Sequence, residues 1–237
     1  FDDGEPRRVQ DPISIRCVSH VHGSLRAAID FCEPNILVEL NGAGDNPVVL
    51  EPDQDILSTG NFHTPAMAVA FDALALAIAQ AATISAQRVG RMLQNLYTDL
   101  PDGLTNHGTT HAGMGLLSLT AETLSKDIHM LGAPASLQDS STYNVEDHAP
   151  MATLAVRQAS QAAALLRQLA ACELLTAAQA FELRAPESAA HVAHALYSTV
   201  REIVPALDDD RSMTHEVASI SDALADGRFR PCLDAAA

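Results

Sequence analysis

From Pro150 to Arg184 the chain carries one long helical pattern, a rod on the order of 50 Å at the usual rise per residue. Leu154, Leu165, Leu166, Leu169, Leu174, Leu175 and many alanines make it apolar on more than one face. A helix of that kind is buried in a large core or at a subunit interface. A lone monomer would leave much of it exposed, so a stable oligomer is expected.

The stretch that feeds this helix, Ser140 to Met151, is polar and carries Glu146, Asp147 and His148 in succession. Pro150 suits a first helical turn, where its missing N–H costs nothing. Acidic groups just ahead of a helix are favoured by its dipole. On these residues alone the solvated helix cap is the favoured reading of Glu146, ahead of a carboxylate aimed by a rigid element.

The remaining chain also reads as helices separated by polar loops. Helical spacing runs from about Ser14 to Glu33, and Pro34 is expected to end that helix. Between Asn35 and Gly60, Ile36, Val38 and Leu40 alternate with other residues. Val48 to Leu50 and Ile56 to Leu57 then flank Glu51 to Asp55 as a small hairpin, with a loop over Gly42 to Pro47 before it. A second long helix has Pro65 in its first turn and runs to about Leu96. A third covers about His111 to Leu131 and is stopped at Gly132 to Ser136. Two shorter amphipathic helices after Pro186 and Asp210 look peripheral. The architecture expected is all-α, a long-helix bundle with one small hairpin, as a single domain over residues 1–237 with peripheral helices over 185–237.

A net charge of -16 argues against nucleic acid or an anionic membrane as partner. No apolar run is read as long enough to span a bilayer. Cys17, Cys32, Cys172 and Cys232 contain no Cys-x-x-Cys pair, which fits free thiols in a reducing cytoplasm better than zinc or disulfides. The chain opens on Phe1 rather than Met, as a fragment or a processed product would.

No local motif carries chemistry by itself. His20 and His22 point to different helix faces, and His191 and His194 lack a third ligand, so no metal is expected. The Gly42-x-Gly44 loop lacks a strand-then-helix setting for phosphate. The useful residues are distributed: Gln10-Asp11-Pro12 with Arg16, Asp45-Asn46-Pro47, Gly60-Asn61-Phe62-His63, and Asn144-Val145-Glu146-Asp147-His148. Each block lies near a helix end or the hairpin. If the blocks converge, Arg16 can grip a carboxylate bidentately, Phe62 can stack on a planar substrate, and Glu146 can pair with an amine or imidazole.

These four blocks, in this order, resemble those of the histidine and aromatic amino-acid ammonia-lyase family. Gln10 to Cys17 is similar to that family's Gln-Asp-Pro-Tyr-Ser-x-Arg-Cys block, and Asn144 to His148 to its Asn-Gln-Glu-Asp-His block. Asp45-Asn46-Pro47, Gly60-Asn61-Phe62-His63 and the run Pro134-Ala135-Ser136 match as well. The resemblance covers about residues 9 to 184 and only the C-terminal half of the family.

It implies a helical tetramer whose sites are assembled from several subunits. It also implies a methylidene-imidazolone prosthetic group made from an Ala-Ser-Gly tripeptide, and a tyrosine base on a lid loop. Both lie N-terminal to the region present here. No Ala-Ser-Gly occurs in the chain, so the group cannot form from it. By position, Arg16 would hold the substrate carboxylate, Phe62 would line the pocket beside the prosthetic group, Gln10 would hydrogen-bond within the site, and Glu146 would face the amine or side chain. Asn61 and Asn144 belong to the same blocks. Ile13 and Val145 stand where the family has Tyr and Gln, and both changes remove polarity.

The expectation is therefore the C-terminal half of an ammonia-lyase-like, carbon-nitrogen lyase protein, acting on a histidine-like or aromatic amino acid. It would be inactive alone and completed by an N-terminal half or companion chain in a homo- or hetero-tetramer. The rivals are a non-catalytic assembly subunit of the same fold, or a related elimination or isomerisation without the prosthetic group.

Overall fold

A computed structural model of the chain describes residues 9–138, 145–185 and 189–234. The single turn α1 (Ile13–Arg16) leads into α2 (Val18–Asn41). The strands β1 (Val48–Leu50) and β2 (Asp55–Leu57) follow, then α3 (Pro65–Met92), α4 (Asn95–Thr98), α5 (Gly115–Leu131) and α6 (Ala152–Arg184). α7 (His191–Ile203), α8 (Thr214–Ala225) and α9 (Arg230–Asp234) complete the described residues. The strands pair antiparallel, with Val48 opposite Leu57 and Leu50 opposite Asp55. The expected all-α architecture with one small hairpin is what the chain adopts.

Two compact units divide the chain. The C-terminal unit takes Phe1–Ser19, Ala82–Lys126 and Ala164–Ala237, and the hairpin unit takes His20–Ala81 and Asp127–Ala163.

In the hairpin unit, Ala68, Ala135 and Ala155 are fully buried, with Phe71, Met151, Ala152 and Leu154 packed on them. Side chains this small let backbones approach closely, and each methyl counts in such a core. Asp72 is buried as well. Its carboxylate accepts the backbone N–H groups of Ala135 and Ser136, both at 2.9 Å. That satisfies two donors of the short helical turn Ala135–Leu137 and fixes the exit from α5. The Cys32 thiol donates to the Ala70 carbonyl at 3.3 Å, and burial raises its pKa.

In the C-terminal unit the largest buried side chains include Leu104, Met114, Leu169, Leu175 and Ile220. Gln179 is buried among them with its polar ends engaged: its amide donates to the Leu207 carbonyl at 2.9 Å, and its oxygen accepts from the Leu207 N–H and from Arg201, both at 3.0 Å. The loop between α4 and α5 closes through Gly103 and Gly113, whose φ values are +67° and +55°. A Cβ at Gly103 would lie 2.6 Å from the Ala112 carbonyl, and one at Gly113 would lie 2.4 Å from the Gly103 carbonyl, so both places require glycine. Burial lifts the Cys172 thiol to about 11.

Two sequence expectations are corrected. Pro34 does not end its helix, because α2 runs through it to Asn41. The carbonyl deprived of a donor belongs to Asp30, which is exposed and can turn to water. The amide of Asn35 adds a bond to the Phe31 carbonyl at 2.7 Å. Ile36, Val38 and Leu40 are consequently helical. The second correction concerns α3, which is long and apolar enough to cross a membrane, with a mean hydropathy of 1.8 over its most apolar stretch. More than half of that stretch is buried, through alanines such as Ala75, Ala79 and Ala82, as befits a core helix.

Candidate active site

The residues singled out from sequence fall into two sets, one in each unit. Gln10, Ile13 and Arg16 belong to the C-terminal unit. Asn61, Phe62, Val145 and Glu146 belong to the hairpin unit. Asn144 lies outside the described residues.

The first set is built on α1. Pro12 sets the turn, and its carbonyl accepts from Ile15 N–H at 2.9 Å and Arg16 N–H at 3.1 Å. Ser14 points inward and is buried, whereas Gln10, Ile13 and Arg16 are exposed. The turn is anchored from below. Arg88 Nη1 donates to the Ser14 carbonyl at 3.1 Å, and the same guanidinium grips Glu173 through Nη2 at 2.9 Å and through Nε. Ser85 Oγ donates to Glu173 Oε2 at 2.6 Å. α3 and α6 thus supply a partly buried ion pair that carries the turn bearing Ile13 and Arg16. Arg16 itself makes no ion pair with a described residue.

The second set converges as the blocks require. Asn46 Oδ1 accepts the Thr59 N–H at 2.9 Å, and Thr59 Oγ1 donates to the Asp45 carbonyl at 3.2 Å. Asp45-Asn46-Pro47 therefore holds the strand exit that leads to Gly60. A turn closed by His63 N–H on the Gly60 carbonyl at 2.9 Å presents Asn61 and Phe62 outward. From the far end of the unit, the segment carrying Val145 and Glu146 meets this turn: His63 Nε2 and His148 Nδ1 are 2.7 Å apart, a hydrogen bond across 85 residues of sequence. The His63 ring also meets Phe62 and His148 edge-on, at 6.1 and 4.9 Å between centroids.

Three of the four blocks are thereby joined within one unit, with Phe62, Val145 and Glu146 all solvent-exposed. Among the described residues no cluster of three or more His, Cys, Asp or Glu side chains is arranged to hold a metal ion. Sequence reasoning missed the supports: Arg88 with Glu173, Asp72, and the pairing of His63 with His148. No local signal marks them, because each pairs with groups far away in sequence.

This geometry can be set against known proteins. The family profile described as aromatic amino acid lyase matches residues 2–202. Histidine ammonia-lyase from Symbiobacterium thermophilum is 36% identical over 231 residues, which cover 97% of this chain and 46% of that protein. The crystal structure of histidine ammonia-lyase from Trypanosoma cruzi superposes with a TM-score of 0.89 at 30% identity, over 95% of this chain and 45% of that one. Tyrosine aminomutase from Streptomyces globisporus superposes with a TM-score of 0.87 at 27% identity, over 99% and 45%. The chain spans about half the length of the relatives it matches, and their C-terminal halves carry the likeness its blocks imply. With the profile running from residue 2 to residue 202, the chain belongs to the aromatic amino acid lyase family.

Proposed function

We propose that this chain supplies the substrate-binding half of an ammonia-lyase that eliminates ammonia from histidine or a similar amino acid. The observation that carries the reading is the joining of the Asp45, Gly60 and Glu146 blocks in one unit, with Phe62 and Glu146 turned outward.

Arg16 binds the substrate carboxylate, for its fork is not engaged by any described carboxylate and its turn is held from below. Phe62 packs against the substrate or the prosthetic group. Glu146 holds the amine or imidazole, Asn61 and Asn144 provide hydrogen bonds in the neighbouring blocks, and Gln10 provides one on the Arg16 side, in a site assembled from several subunits. Ile13 and Val145 make the wall more apolar than in the family pattern.

The exposed Phe62 ring fits a planar methylidene-imidazolone as neighbour. The chain has no Ala-Ser-Gly from which to make that group, so the N-terminal half must bring it together with the tyrosine base. When bound, it supplies the electrophile that makes the amino group a leaving group. This chain's residues orient the substrate, fix its carboxylate and exclude water.

Assembly follows from the surface. Ile29, Phe31, Leu37, Val38 and Leu40 lie exposed along α2, more apolar area than a soluble helix leaves open, and we assign this face to the N-terminal half or to partners in a tetramer. We take residues 1–237 as one helical half of the whole, with 185–237 at its edge, in the cytoplasm.

One observation favours a second reading. Ile13 and Val145 are 61% and 88% exposed where the family pattern has polar side chains, as a subunit kept for assembly after losing its chemistry would show. The test is spectroscopic. The chain alone should show no borohydride-sensitive chromophore, and joined to its N-terminal half it should show one and release ammonia. A complete complex that carries the chromophore and releases no ammonia from any amino acid would overturn the first reading in favour of a subunit without this chemistry or with a changed one.

A further inference from the structure

We propose that His63 and His148 are positioning residues that set Phe62 against Glu146. This rests on the reading above for its kinetic consequence, though not for its structural one.

The two rings make the hydrogen bond that joins the Gly60 turn to the segment entering α6, Nε2 to Nδ1 at 2.7 Å. A bond between two imidazoles needs one nitrogen to donate and the other to accept. One proton therefore sits between the rings, and the bond fixes the orientation of both. Phe62 is the residue next to His63 and meets its ring edge-on, and Glu146 is two residues before His148. Both side chains are exposed and lie in irregular segments, and this bond ties the one segment to the other. Asn46 holds the turn from the hairpin side, and Asp72 holds Ala135 and Ser136.

The substitutions that test this keep the shape of a ring or keep its hydrogen bond. His63→Phe keeps a flat ring and cannot bond. We take the shared proton as that of His63, and His63→Gln then places an amide N–H near the position of Nε2 and keeps the donor. His148→Phe and His148→Asn do the same for the partner, the Asn oxygen standing in for Nδ1.

In the full-length protein, each Phe variant should lower kcat about tenfold with a smaller change in KM, as expected when a reacting group drifts by a fraction of an ångström. The double Phe variant should be no worse than either single one, and His63→Gln and His148→Asn should recover most of the rate. Independently of activity, amide hydrogen exchange should quicken across 145–149 in His63→Phe and across 60–63 in His148→Phe. Losses that add in the double variant, Gln and Asn variants as poor as the Phe variants, or exchange confined to the substituted segment would each overturn the proposal. If the wild-type protein releases no ammonia, the functional reading fails, and the exchange experiment by itself then upholds or overturns the tie.

Discussion

Arg88 reaches the backbone of Ser14, its Nη1 lying 3.1 Å from the Ser14 carbonyl, while the rest of its guanidinium is spent on Glu173. The two side chains of the ion pair are only 17% and 24% exposed, so removing one partner strands a largely desolvated charge. Arg88→Met or Glu173→Gln should lower stability by roughly 2–4 kcal/mol. Replacing both with apolar residues should return part of that loss, because no charge is then left unpaired. Urea denaturation measures it. A double variant less stable than both singles would show that the pair attracts by more than it costs to desolvate.

A second structural prediction concerns Gln179, which is 3% exposed and bonds both the N–H and the carbonyl of Leu207. Gln179→Met keeps an unbranched side chain of similar length and leaves these groups and Arg201 short of partners, at about 3 kcal/mol in sum. A melting temperature within a degree or so of wild type would refute that role.

The pH dependence of stability should involve Asp210. The backbone N–H groups of Ala112 and Gly113, and after them His111 and His107, hold its carboxyl below the ordinary value of 3.8. As the pH falls below 3.8, the unfolded chain takes up the Asp210 proton before the folded chain does. The stability this group contributes is thus whole above 3.8 and lost as the pH falls through the lower folded value. Asp210→Asn should flatten that part of the stability-versus-pH curve and leave neutral-pH behaviour less affected. An unchanged acid limb in the variant would assign the acid sensitivity to other carboxylates.

How much of this was legible in the sequence depended on the range of the interaction. α6 and α3 were readable because periodic apolar residues report a local property, and the four blocks were readable because each is short and contiguous. Pro34 misled because the rule about proline assumes that the freed carbonyl has nowhere to turn, and at exposed Asp30 it has water. Ile36, Val38 and Leu40 misled because α2 exposes apolar side chains on a helix, so their spacing followed no solvent boundary within this chain. Arg88 with Glu173 and His63 with His148 are pairings across 85 residues, and nothing local marks either partner.

At Arg16, the substrate side of the site can be probed directly. Arg16→Lys keeps the charge and loses the planar fork; Arg16→Ala loses both. A charge-assisted bond of roughly 1.5–3 kcal/mol corresponds to a ten- to hundredfold weaker apparent affinity. Stability should not change, since the side chain is exposed. Ile13→Tyr should likewise leave stability unaltered, because Ile13 is 61% exposed and a larger ring meets no packed core of this chain. A drop in melting temperature for either change would mean that the side chain serves the fold.

The central claim is that this half, completed, binds histidine for elimination. The direct measurement is steady-state ammonia release from L-histidine by the full-length protein, wild type beside Glu146→Gln. The account predicts release by the wild type and a fall in kcat/KM of tenfold or more, about 1.4 kcal/mol or above, in the variant. Equal rates in the two proteins, or a wild type that carries the prosthetic group and releases nothing, would contradict it.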